Sequence, residues 1–115
     1  MADMMLKNIP AEQPLEIAAL IPYQQGQIVS RTLTQNPAVS VTLFAFEQGE
    51  EISTHESRGD ALVQILDGTA LVTIGGTEHT LRAGQCIVMP ANVPHAEKAI
   101  SSVALKLARS AATCA

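Results

Sequence analysis

The chain holds 115 residues, with seven Lys and Arg against 11 Asp and Glu for a formal net charge of −4. That length bounds it at one domain, and 47% hydrophobic against 16% charged residues supply a core and exclude a disordered segment. An acidic chain with no Lys/Arg cluster and only Tyr23, Phe44 and Phe46 as stacking platforms lacks the footprint of a nucleic-acid binder. No apolar run reaches the roughly 18 residues of a membrane helix, and Asp3, Lys7 and Asn8 interrupt any signal core at the start. The expected setting is cytoplasmic, with neither membrane nor nucleic acid as a partner. Cys86 and Cys114 form no disulfide framework and no CxxC pair. His55, His79 and His95 are therefore the scarce chemical resource.

In chain order, Pro14 to Leu20 is the one helical candidate, with Leu15, Ala18 and Ala19 on a stripe. From Gln27 the period is two, which predicts strands. Gln27 to Thr34 is the first, and Asn36-Pro37 divides it from Val39 to Phe46. In the latter Val39, Val41, Leu43 and Ala45 share one face, and Ser40, Thr42, Phe44 and Phe46 the other. A short strand, Ile52 to His55, lies between the turns 47–50 and 57–60. Ala61 to Leu66 is nearly all apolar, as a strand buried on both faces would be. Asp67-Gly68 and Gly75-Gly76 each predict a two-residue hairpin, so Ala61–Leu66, Thr69–Ile74 and Thr77–Leu81 are expected to form a meander. Gln85 to Met89 follows and stops at the proline-containing stretch 90–94. His95 to Ile100 and Val103 to Ala108 complete the set.

So many short strands predict an all-β sandwich, jelly roll or barrel. Residues 1–26 are expected to form an extension packing on a barrel of residues 27–109, with 110–115 as a frayed tail. About eight strands also enclose enough room for one small ligand.

Two stretches carry the chemistry. Gly49-Glu-Glu-Ile-Ser-Thr-His55-Glu-Ser57, continuing through Ala61 to Gly68, resembles the first signature of the cupin superfamily, G-x5-H-x-H-x3,4-E-x6-G. Gly84-Gln-Cys-Ile-Val-Met-Pro90-Ala-Asn92-Val-Pro-His95 resembles the second, G-x5-P-x-G-x2-H-x3-N. The resemblance implies a single jelly-roll barrel and a divalent transition metal (Zn, Ni, Mn or Fe) held by three histidines and a glutamate. His55 matches the first ligand and His95 the last. Ser57 stands in the place of the second histidine, Ala61 in that of the glutamate, Asn92 in that of a glycine and Ala99 in that of an asparagine. Two of the four implied ligands are thus absent, and two imidazoles alone hold such an ion weakly.

A third donor has three candidates. His79 qualifies if it shares an inward face with Leu81, and otherwise reads as a solvated histidine. Cys86 qualifies from the strand before Pro90, and otherwise reads as a small core residue. Asp60 ranks behind them, since alternation sends it opposite to Ala61. The expected pocket comprises His55, Ser57, Ala61 and His95, with Lys106 facing an anionic ligand if the last strand turns it inward. Glu47, Glu50, Glu51 and Glu56 read as a solvated rim.

Three functions fit these residues: a small cupin binding a small molecule with or without metal; a metal-dependent dioxygenase, isomerase or decarboxylase; and a sensor that binds without turnover. Without metal, His55 and His95 could form a general acid/base pair. Small cupins are commonly dimers, and Gln27 to Thr34 offers an edge for a second copy, so a homodimer is expected.

Overall fold

The computed structural model describes residues 5–110 and contains nine strands: β1 Ile28–Gln35, β2 Val39–Phe46, β3 Glu51–His55, β4 Ala61–Asp67, β5 Thr69–Ile74, β6 Thr77–Arg82, β7 Cys86–Met89, β8 His95–Ala99 and β9 Val103–Ser110. They form an antiparallel five-stranded sheet ordered β1-β2-β9-β4-β7 and a four-stranded sheet ordered β3-β8-β5-β6. Among the described residues the only helix is a 3-10 turn, Ile17–Leu20. No helix of the described residues is long and apolar enough to cross a membrane.

Alternation decides which residues meet between the sheets. Phe46, Val63, Ile65, Val72, Leu81, Met89, Val103 and Leu105 fill that space, with Phe44 and Ile52 against them. Leu43 and Ala45, on the opposite face of β2, join Leu33 and Ala104 on the outer face of the five-stranded sheet, and Ile21 with Ile9, Ile17, Ala18 and Leu20 packs on them. The segment before β1 thus buries an apolar surface that would otherwise face water. The Tyr23 hydroxyl donates to the Asp67 carboxylate at the end of β4. Ile21 is 4% exposed, so Ile21→Val is expected to lower the unfolding free energy by about 1 kcal/mol, read from urea titration as a lower midpoint at unchanged slope.

Two local expectations are corrected and one between them holds. Asp67-Gly68 is not a hairpin: β4 pairs with β7 and β9, whereas β5 pairs with β6 and β8. The chain crosses there from one sheet to the other. A Cβ on Gly68 would stand 2.0 Å from the Ser102 carbonyl oxygen, and its φ is +81°, so close approach at a corner explains that glycine. Gly75 and Gly76, at φ 55° and 84°, do close a true β5–β6 hairpin. Finally, β4 is not buried on both faces. Ala61, Val63 and Ile65 are inside while Leu62 is 38% exposed.

One boundary also moves. Ser110, assigned to a tail, is the last residue of β9; residues 111–115, Cys114 among them, lie outside the described residues. The edge of β1 meets the chain's own N-terminal segment. The Lys7 amide donates to the Leu33 carbonyl, the Thr34 hydroxyl to the Met5 carbonyl, and the Arg31 guanidinium to the Asn8 carbonyl.

Candidate metal centre

The strands β3 and β8 are neighbours, and their register sets His55 directly across from His95, just beyond an irregularity between Ile52 and His55. Such an irregularity re-aims a strand-end side chain. Along β8 the residues His95, Glu97 and Ala99 are buried, while Ala96 is half-buried and Lys98 is exposed. The inner face of one strand therefore carries an imidazole and, two residues on, a carboxylate. Donor atoms of His55, His95 and Glu97 lie within 4.8 Å of one another.

Hydrogen bonding fixes what these atoms can do. His55 Nδ1 is 2.9 Å from the Ser53 carbonyl oxygen, and His95 Nδ1 is 3.2 Å from that of Val93. A carbonyl only accepts, so each Nδ1 carries the proton. Both Nε2 atoms of the neutral rings then present lone pairs, and they face each other at 2.9 Å, the rings edge to face at 75°. Glu97 Oε1 stands 3.9 Å from His95 Nε2. Glu97 Oε2 is buried with no hydrogen-bond partner. Three acceptors converge on a point that supplies no donor, and a bound cation resolves that conflict. Imidazole–metal bonds are about 2.0–2.1 Å. The separations from His95 to its two neighbours are each less than twice that length, so the donor set fits a divalent transition ion.

Electrostatics follow from burial. His95 is only 1% exposed; burial first, then the neighbouring His55 and more weakly Arg109, hold its pKa below the ordinary 6.5 against the pull of the Val93 carbonyl. Burial pushes the Glu97 carboxyl above its usual 4.5, opposed by the attraction of His55 and Arg109.

His55 and Glu97, but not His95, line a cavity of about 210 Å³ between the sheets, together with Phe44, Phe46, Ile52, Val63, Leu105, Leu107 and Arg109. That is below the ~300–1,000 Å³ typical of small-molecule pockets.

The other expected site residues lie elsewhere. The Ser57 hydroxyl donates to the Gly59 carbonyl within its own turn, and Ala61 is fully buried in the core. Lys106 shares the face of Ala104 on β9, whereas Leu105, Leu107 and Arg109 face the cavity. The inward cation is Arg109, not Lys106. His79 shares the face of Leu81 on β6 but is not in the donor cluster. Cys86, expected in the core, is exposed because it begins the edge strand β7. Asp60 accepts from the Ala91 amide. The third group that converges with His55 and His95 is Glu97, which lies in the second signature and not in the first, where the resemblance implies a carboxylate. The signal was present: His95-x-Glu97 is strand alternation. Asn92 sits at φ 63°, a left-handed position that asparagine tolerates in place of glycine.

Comparisons with known proteins agree with this architecture. A family profile described as "Cupin domain" matches residues 42–108. The structure of a conserved protein of unknown function from Streptococcus pyogenes is 35% identical, with a TM-score of 0.94 over 99% of this chain and 100% of its own. A cupin superfamily protein from Desulfitobacterium hafniense is 33% identical, with a TM-score of 0.89 over 92% of this chain and 97% of its own. A salicylate 1,2-dioxygenase from Pseudoaminobacter salicylatoxidans, in complex with gentisate, shares the fold at 18% identity and a TM-score of 0.67, over 72% of this chain and 25% of its own. No curated protein matches.

Proposed function

The chain belongs to the cupin family, and from that premise we propose that it holds one divalent transition metal through His55 Nε2, His95 Nε2 and the Glu97 carboxylate, beside a cavity that takes a small organic molecule. The observation that carries this reading is the pair of Nε2 lone pairs facing each other at 2.9 Å next to a buried carboxylate oxygen with no partner. The chain's own residues have distinct parts. Ser53 and Val93 carbonyls hold both rings in the tautomer that leaves Nε2 free. Phe44, Phe46, Leu105 and Leu107 exclude water and strengthen every charge interaction beside them. When bound, the ion supplies a Lewis acid with coordination positions left open by only three protein donors.

That open coordination beside a cavity supports turnover as a second reading, of the dioxygenase, isomerase or decarboxylase type, with simple binding as the alternative.

Metal uptake requires a neutral His95 and an ionised Glu97, so protons compete with the ion. His95 titrates below 6.5 and Glu97 above 4.5. Affinity is therefore expected to fall as protons are added to either group, over a window that runs from neutral pH down toward 4.5. Calorimetric titration with Mn²⁺, Ni²⁺ or Zn²⁺ across that window tests the reading. Failure of all three ions to bind at neutral pH, or an affinity flat through the window, would count against it.

A further inference from the structure

We propose that Arg109 is a carboxylate anchor, and that the cavity takes a small organic acid whose carboxylate pairs with Arg109 while its apolar body lies against Phe44, Phe46 and Leu105. This deepens the preceding reading and rests on it for the metal end of the cavity.

Arg109 lies on β9, the middle strand of the five-stranded sheet, facing the cavity near the donor cluster. Its Nε is buried and has no hydrogen-bond partner. A guanidinium carries five donors and cannot shed its charge, and Arg109 is half-buried with its Nε shut off from water, so that donor is costly to leave unpaired unless something completes it. Nothing within the described residues does. No carboxylate there forms an ion pair with it, Glu97 being drawn to His95 instead. Its register partners across the two neighbouring strands are Ser40 and Ala61, and neither brings a charge. Ala61, with only a methyl group, leaves the side of β4 next to the guanidinium without an acceptor.

The rest of the cavity decides the ligand class. Apart from His55, Glu97 and Arg109, its walls are hydrocarbon. With a divalent ion at the donor cluster, one carboxylate cannot neutralise both the ion and the guanidinium. The pocket then carries net positive charge, which an anion offsets. A planar carboxylate also matches the two-pronged geometry of a guanidinium, as a single hydroxyl or amide does not.

The test uses the full chain and a set of monocarboxylates from acetate to benzoate, each paired with its neutral amide, titrated into Mn²⁺-loaded and metal-free protein at neutral pH. Metal content is measured in every sample. At least one acid is expected to bind roughly tenfold or more tightly than its amide, and Arg109→Gln to remove that preference while leaving metal content unchanged. Arg109→Lys keeps the charge without the fork and should retain part of it. No preference for any acid over its amide, or one that persists in Arg109→Gln, overturns the proposal. The metal reading fails separately: a wild type that takes up no Mn²⁺ yet still prefers the acid in an Arg109-dependent way upholds the anchor and counts against the metal centre.

Discussion

His95→Ala is expected to lower metal affinity by more than about 100-fold, because changes that merely disturb a ligand's supporting contacts already lower it by ~10–100-fold and this one deletes a donor. His95 is the hinge of the cluster. Its Nε2 is 2.9 Å from His55 Nε2 and 3.9 Å from Glu97 Oε1, so its loss leaves two donors with no shared neighbour. The ring is also fully buried, so the variant loses packing as well. His95→Gln retains more of the volume and separates the two effects. Both variants should lose the metal, and the glutamine variant should stay closer to wild type in metal-free thermal unfolding. Metal retained at the wild-type level in a folded His95→Gln would remove His95 from the site.

Glu97→Gln is expected to move metal affinity and metal-free stability in opposite directions. As a carboxylate, Glu97 supplies the one negative charge of the donor set, and its amide should bind the ion at least ~10-fold more weakly. Without metal the same charge is a burden. Its Oε2 is buried and unpartnered, and its pKa is raised by burial. A raised folded-state pKa means that the folded protein holds the proton more tightly than the unfolded chain does. That contribution is present below 4.5 and is lost as the pH rises through the folded-state value. At neutral pH metal-free Glu97→Gln should therefore be more stable than wild type, by about 1 kcal/mol, and should lose the part of the pH dependence that Glu97 contributes. Chemical denaturation of both proteins in chelator, at neutral pH and near pH 4.5, reads this directly. A glutamine variant less stable than wild type at neutral pH would mean that the carboxylate has a structural partner after all.

Much of the fold was legible because strand alternation survives into the structure nearly residue for residue. The two faces of Val39 to Phe46 became two cores, Leu43 and Ala45 outside and Phe44 and Phe46 between the sheets. Sequence could not say which face was which, since both are apolar enough to be buried and the choice depends on the segment around Ile21 covering one of them. Asp67-Gly68 misled for a related reason. A glycine at positive φ serves a tight turn and a sheet-to-sheet corner equally well, and only the Ser102 carbonyl beside it tells them apart.

At the site, the resemblance to the two signatures pointed to His55 and His95, whose donor atoms do converge, but their tautomers were not legible, because Ser53 and Val93 matter through backbone oxygens that no side-chain pattern reveals. Glu97 was missed although alternation from His95 pointed to it. Lys106 was expected to face inward only if β9 turned it so, and Arg109 went unnoticed, because the direction of β9 relative to the cavity is a property of the paired sheets, set by the neighbours β2 and β4 rather than by the strand itself.

The central claim is that three residues of this chain build one metal centre. Its most direct test is the metal content of tag-free wild-type protein equilibrated with Mn²⁺, Fe²⁺, Ni²⁺ or Zn²⁺ and then exhaustively dialysed, beside a His55→Ala, His95→Ala, Glu97→Gln triple variant verified as folded. One ion per wild-type chain with at least one of these metals, and none in the variant, is the predicted result. A wild type empty with all four, or a variant as loaded as the wild type, would contradict it.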